Sequence, residues 1–271
     1  MRDKIAKLLF IIGIILLLFP IVSRIITNTT QTSVVYKYED NISSIEKKIL
    51  DSIKARIEEY NFNLSNNKPT VVIDESIDKL DYSSSFDFYE EGETIGSINI
   101  PKIETLLPIY DDIVNNNLEK GAVHLKDTSY PNGQIGTHSV IVGHSGLTIA
   151  SIFDDIDKLQ IGDIFSINYL GIVTNYKVIS TKVVLPYETE NLKIDDNKCL
   201  VTLVTCTPKG VNSHRLLVTG EKIELEENNN EKIKTKNYTT RYYIIAALIL
   251  LFATSTLIVF AIIDKKNKKE A

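Results

Sequence analysis

Two uncharged stretches bracket this 271-residue chain and confine where a water-soluble fold can form. The first is LLFIIGIILLLFPIV at residues 8–22, with apolar character reaching back to Ile5 and on to Ile26. The second is YYIIAALILLFATSTLIVFAII at residues 242–263. Hydrocarbon offers the backbone no hydrogen-bond partner, so a spanning segment closes its own bonds as a helix of about 20 apolar residues. The second stretch meets that length, and the first does once its flanks are included. Arg2, Lys4 and Lys7 open the first as they would a secretory signal, but no small-x-small cleavage site follows in Ile21-Val22-Ser23-Arg24-Ile25. The expectation is an uncleaved anchor over residues 1–26 and a second transmembrane helix over 242–263. The charged tail at 264–271 speaks against a buried core helix there.

The basic residues set the orientation. Arg2, Lys4 and Lys7 lie at one end, and Lys265, Lys266, Lys268 and Lys269 at the other. Both ends therefore favour the cytoplasm, and the middle faces outward. Residues 25–240 hold 21 Lys and Arg against 32 Asp and Glu, a net charge of about −11. So acidic a domain is a poor match for nucleic acid. Paired cysteines oxidise outside the cytoplasm. Cys199 and Cys206, however, sit seven apart in one apparent strand, about 23 Å at ~3.3 Å per residue. Disulfide reach is roughly 7 Å between Cα atoms, and the odd spacing puts the two on opposite faces. Both are expected as free thiols. Cys199 reads as a small core hydrophobe; Cys206 needs another role.

Between the apolar ends the pattern changes twice. Over residues 42–60, Ile42, Ile45, Ile49, Ile53, Ile57 and Tyr60 recur at helical spacing, and Ser43-Ser44-Ile45-Glu46 fits a capping box at the start. Residues 61–93 are rich in Asn, Ser, Asp and Glu and read as a long loop, with a short strand at Thr70–Ile73 and an aromatic group of Tyr82, Phe86, Phe88 and Tyr89. From Thr94 the pattern is β. Strands are expected at Thr94–Ile100, Leu106–Tyr110, Ser139–Gly143, Ile164–Leu170, Val173–Val184, Lys198–Cys206 and Arg215–Glu224. One helix is expected at Ala150–Leu159, and Leu118–Leu125 reads as helix or loop. Many short strands at this spacing suggest a closed or nearly closed barrel. Residues 226–241, with their Asn228–Asn230 run, read as a linker.

The chemistry concentrates at three strand ends. Leu200 to Cys206 is apolar on both faces, which marks a central strand. Pro208 then ends it, leaving Cys206 at the strand mouth. A thiol titrates near ~8.5, so a nucleophilic cysteine needs a neighbouring base or cation. His144, in Val142-Gly143-His144-Ser145-Gly146, follows a short apolar strand, with a glycine just before it and another two residues after. His138 starts that same strand and reads as structural, His124 has no telling context, and His214 would face away from its neighbour Arg215. Arg215 opens the next strand. Its permanent charge and several donors suit an oxygen that becomes negative during acyl transfer. No compact carboxylate and histidine cluster suggests a metal.

TLVTCTP at 202–208, HRLLV at 214–218 and GHSG at 143–146 together resemble the sortases. The resemblance covers roughly residues 94–224. It includes Ile95-Gly96-Ser97-Ile98-Asn99-Ile100-Pro101-Lys102-Ile103, Leu118-Glu119-Lys120-Gly121-Ala122-Val123-His124 and Gly136-Thr137-His138-Ser139-Val140. Histidine, cysteine and arginine also come in the matching order, whereas papain-like enzymes place cysteine first. The resemblance implies an eight-stranded β-barrel at 94–225 with N-terminal helices at 27–93. It implies Cys206 as nucleophile, His144 as acid and base, and Arg215 as the cation of the oxyanion or substrate, with no cofactor and no metal. A second membrane helix after the barrel looks like class C, the pilin-polymerising group. Such enzymes cleave an LPxTG-like sorting signal between Thr and Gly and pass the threonyl group to a pilin lysine. A housekeeping sortase acting on peptidoglycan precursor, and a non-enzymatic membrane-tethered scaffold, are the two alternatives. One feature departs from class C. Its members usually carry a lid with an Asp-Pro-aromatic triplet, and none occurs here. Val72-Ile73-Asp74-Glu75-Ser76 and Phe86-Asp87-Phe88 lie in that region without the proline.

Overall fold

The computed structural model describes residues 2–67, 93–111, 117–146, 152–224 and 240–270. It divides into two compact units, residues 1–29 with 237–271, and residues 30–236. The candidate lid residues Val72–Ser76 and Phe86–Phe88, the strand expected at Thr70–Ile73 and most of the linker lie outside the described residues.

The first unit is helical. Helix α1 runs from Arg2 to Ser44 with Pro20 inside it. From Leu8 it is long and apolar enough to cross a membrane. The helix Thr240–Glu270, α4, carries the second apolar stretch. Its described apolar part, Tyr243–Thr256, is shorter than a span, so among the described residues one helix meets the length.

In the second unit the N-terminal helices fasten themselves to a barrel through a few buried side chains. Gln31, Val35, Tyr38 and Ile42 of α1 fall on one helix face at spacings of three and four. Gln31 donates to the Lys120 carbonyl at 3.0 Å. The Tyr38 hydroxyl donates to the Ile95 carbonyl at 2.6 Å and accepts from the Leu170 amide at 2.9 Å. The single helix expected at 42–60 is in fact a junction. Ser43 and Ser44 donate back to the Asp40 and Asn41 carbonyls and so close α1 rather than cap its successor. Helix α2 then spans Lys47–Asn67. The break resets the helical phase, so Ile49 is 51% exposed while Leu50, Ile53, Ile57 and Tyr60 face the core. Asn61 extends that face. It donates to the Tyr130 carbonyl at 3.0 Å and accepts the Tyr130 amide at 2.9 Å, standing in for a neighbouring strand.

Eight strands close the barrel: β1 Thr94–Ile100, β2 Thr105–Tyr110, β3 Ala122–His124, β4 Thr137–Val142, β5 Ile164–Tyr169, β6 Ile172–Val184, β7 Cys199–Thr207 and β8 His214–Ile223. Their order around the wall is β1-β2-β3-β4-β7-β8-β6-β5. The β2–β3 and β4–β7 pairs are parallel and the rest antiparallel. All seven expected strands are present. The eighth, β3, replaces the helix or loop read at Leu118–Leu125; a short helix, α3, covers only Asn117–Lys120. The helix expected at Ala150–Leu159 is also corrected. Its described part is a bend followed by a 3-10 turn at Ile156–Lys158, because Asp154 is drawn aside to the Gly146 amide at 2.6 Å.

Side-chain alternation splits the wall into two apolar layers. Cys199, Val201 and Leu203 of β7, with Leu216 and Val218 of β8, join the main core around Ile98, Phe165 and Tyr176. Val204 of β7, Val140 and Val142 of β4 and Leu217 of β8 face the other way, into a smaller cluster with Tyr110, Val184 and Leu192. That second face carries the candidate site.

Candidate active site

Period-two geometry brings the three expected site residues to one end of that second face. In β7, Thr202 and Val204 lead to Cys206; in β4, His138, Val140 and Val142 lead to His144; in β8, Thr219 and Leu217 lead back to Arg215. The ladders fix their heights. Val142 and Val204 are the last pair of the parallel β4–β7 ladder, and His144 and Cys206 each lie two residues beyond that pair. Cys206 pairs directly with Arg215 across the antiparallel β7–β8 ladder. Nucleophile candidate and guanidinium thus face each other across two strands, with the histidine just past the end of the third.

Each member is held differently. Cys206 is outside any disulfide, half-buried, at the mouth of β7. Arg215 is 2% exposed, and its Nη1 donates to the carbonyls of Asn212 at 3.1 Å and His214 at 3.2 Å. The Asn212 carbonyl belongs to the turn that follows Pro208 and the His214 carbonyl to the first residue of β8, so this corner of the chain aims the guanidinium. His144 is half-buried just beyond the end of β4. Gly143 permits this approach: a Cβ there would lie 2.6 Å from the Phe153 ring. The segment is then pinned. The Gly143 amide donates to the Val204 carbonyl at 3.0 Å, and the Phe153 amide to the His144 carbonyl at 2.9 Å. Two hydroxyls that the motif reading passed over add to this. Thr205 donates to the Gly143 carbonyl and Ser145 to the Cys206 carbonyl, both at 2.7 Å. Only the hydroxyl residue types were visible in TLVTCTP and GHSG; their partners depend on the β4–β7 register.

The other candidates are structural. Cys199 is 4% exposed, and burial raises its thiol above the ordinary range. It lies on the opposite face from Cys206, as the odd spacing requires. His124 is buried in β3, stacked on Tyr130 at 4.5 Å and bonded to the Ser129 carbonyl at 3.0 Å. His214 pairs with Thr207 and bonds Ser213 at 2.9 Å. Among the described residues, no group of three or more His, Cys, Asp or Glu is arranged to hold a metal ion.

His138 gives a pH-dependent signature. Its Nδ1 lies 2.9 Å from the Lys193 carbonyl, which can only accept, so Nδ1 carries the proton. Its Nε2 then accepts from Thr202 at 2.7 Å, and Thr202 accepts from Thr219 at 2.8 Å. Burial lowers the pKa of this ring, and the Lys193 bond offsets it in part. The unfolded histidine takes up its proton near ~6.5, above the folded value. Stability from this group is therefore complete above that pH and declines as pH falls towards the lowered folded value. We expect His138→Gln to flatten the acid limb by up to about 1.4 kcal/mol per pH unit. Urea unfolding of residues 30–236 between pH 7.5 and 5.5 measures it, and parallel curves for the two proteins would rule it out.

Similarity to known proteins falls on the same region. A family model for the sortase domain matches residues 98–223. Sortase D of Bacillus subtilis is 33% identical over 121 residues, a match covering 44% of this chain and 57% of that one. The chain thus aligns with a little over half the length of that relative. Among solved structures, Clostridium perfringens sortase C, crystallised with the C-terminal cell wall sorting motif, is 38% identical with a TM-score of 0.63; the match covers 72% of this chain and 100% of that one. Sortase C1 of GBS pilus island 1 is 32% identical with a TM-score of 0.65, covering 73% and 94%.

Proposed function

The chain belongs to the sortase family, and on that footing we propose that it is a membrane-anchored cysteine transpeptidase of the pilin-polymerising class. The observation that carries this reading is the gathering of His144, Cys206 and Arg215 at one end of β4, β7 and β8, with Cys206 paired to Arg215. The Cys206 thiolate attacks the threonyl carbonyl of an LPxTG-like signal, and a C–S bond forms. Arg215 stabilises the negative oxygen of the tetrahedral intermediate. The Thr–Gly C–N bond breaks as His144 gives its proton to the departing amine. A lysine amine of the next pilin then attacks the thioester, His144 takes up a proton, and the Cys206 thiolate leaves. Nothing in these steps calls for a cofactor.

Similarity to sortases C, including one from a pilus island, favours pilin polymerisation over attachment to peptidoglycan precursor. Two membrane passages with both termini cytoplasmic would hold the barrel outside, as the lysines around the two apolar stretches favour. The test is mass spectrometry of the protein after incubation with LPxTG-type peptides. The expected result is a threonyl adduct mapped to Cys206 and discharged by a lysine-bearing pilin peptide. A panel that leaves Cys206 unmodified would sink the transpeptidase reading.

A further inference from the structure

The β4–β7 ladder stops short of the reacting groups. Its last paired residues are Val142 and Val204, and one more backbone bond links Gly143 to Val204. His144 lies beyond that point. A histidine on a chain that has left its sheet would drift from the cysteine beside it unless something ties the chain down again. On the N-terminal side the Thr205 hydroxyl ties the Gly143 carbonyl. On the C-terminal side the Ser145 hydroxyl reaches across to the carbonyl of Cys206 itself, at 2.7 Å. Gly146 follows with φ +80°, and its amide is bound to Asp154, so the chain turns away immediately after this tie.

We infer that Ser145 is a positioning residue, whose hydroxyl bond to the Cys206 carbonyl holds His144 in register with the nucleophile past the end of the ladder. Ser145 itself meets the backbone of Cys206, not the sulfur, and acts through its neighbour. A misplacement of about 1 Å between reacting groups is costly to rate and nearly neutral to binding. The bond belongs to the resting enzyme and acts on the geometry of transfer, so its loss falls on kcat. The catalytic half of this inference rests on the transpeptidase reading; the thiol-reactivity half rests on geometry alone.

The test uses the full chain in detergent with Ser145→Ala, Ser145→Thr, His144→Ala and the His144→Ala, Ser145→Ala double variant. With an LPxTG-type peptide, Ser145→Ala is expected to lower kcat about tenfold while KM stays within about twofold. Ser145→Thr keeps a hydroxyl at the same atom and restores the rate. Iodoacetamide alkylation, mapped to Cys206 by mass, reads the histidine–cysteine relation without substrate. Ser145→Ala is expected to change that rate by about threefold or more, and to change nothing further once His144 is alanine. An unchanged kcat, a rise in KM alone, or an equal alkylation effect in the His144→Ala background would each overturn the inference. If the wild type turns over no sorting signal, the transpeptidase reading fails, and the alkylation cycle still decides whether Ser145 positions His144.

Discussion

Replacement of Cys206 by alanine is expected to abolish the acyl-enzyme and to lower kcat/KM for an LPxTG-type peptide by at least about 10³-fold. The size follows from the route. Covalent catalysis splits amide transfer into two easier steps, and alanine has no atom with which to begin the first. The loss should come without collapse of the fold. Cys206 is half-buried at the end of β7, whereas the buried residues that hold this strand, Val201, Leu203 and Val204, are untouched. Cys206→Ser is expected to be nearly as inactive, because a hydroxyl is far harder to ionise than a thiol. Cys199→Ala supplies the control. That thiol is buried on the opposite face with its pKa raised, so its loss leaves transfer intact. Mass spectrometry of the adduct, with melting temperatures beside it, separates the outcomes. Full transfer by Cys206→Ala would return the barrel to the role of a binding scaffold or move the nucleophile elsewhere.

The strands were legible because their signal is local. β1 and β6 announce themselves through runs of Ile, Val and Thr between turn residues, and the observed ends fall within one residue of those expected. β3 was not legible, since three residues carry no measurable period. It exists because Ile109 on one side and Val142 on the other offer it backbone partners from distant parts of the chain. The helix expected at Ala150–Leu159 failed for a related reason. The Asp154 carboxylate answers the amide of Gly146, a contact that spacing cannot show. For the site, alternation within β7 was enough to set Cys206 apart from Cys199. Position along β4 already separated His138, at the start of the strand, from His144, past its end; the β4–β7 register adds that His138 lies beside Leu200. The hydroxyl ties of Thr205 and Ser145 needed the same register and one thing more: the course of the chain after it leaves the sheet.

Arg215→Lys is expected to lower kcat by about 10² to 10³-fold, the cost of losing one aligned oxyanion donor, with only a small change in KM. Arg215→Ala should lower it at least as far. The reasoning turns on how the side chain is held. Arg215 is 2% exposed, opposite Cys206 in the ladder, with Nη1 bonded to the Asn212 and His214 carbonyls. Those two bonds leave the planar fork in one orientation before substrate arrives, so little reorganisation is needed when charge develops on the carbonyl oxygen. An ammonium in its place keeps the charge but not the fork. Three donors on a flexible stem cannot serve the Asn212 and His214 carbonyls and an oxyanion in one plane. Single-turnover acylation followed by steady-state kinetics separates the possibilities. A fall in kcat with KM held places the guanidinium on the transition state. A rise in KM with kcat held would make it a substrate clamp instead. Full activity in Arg215→Lys would mean that charge alone suffices, and that the fixed geometry at the start of β8 serves the fold rather than the reaction.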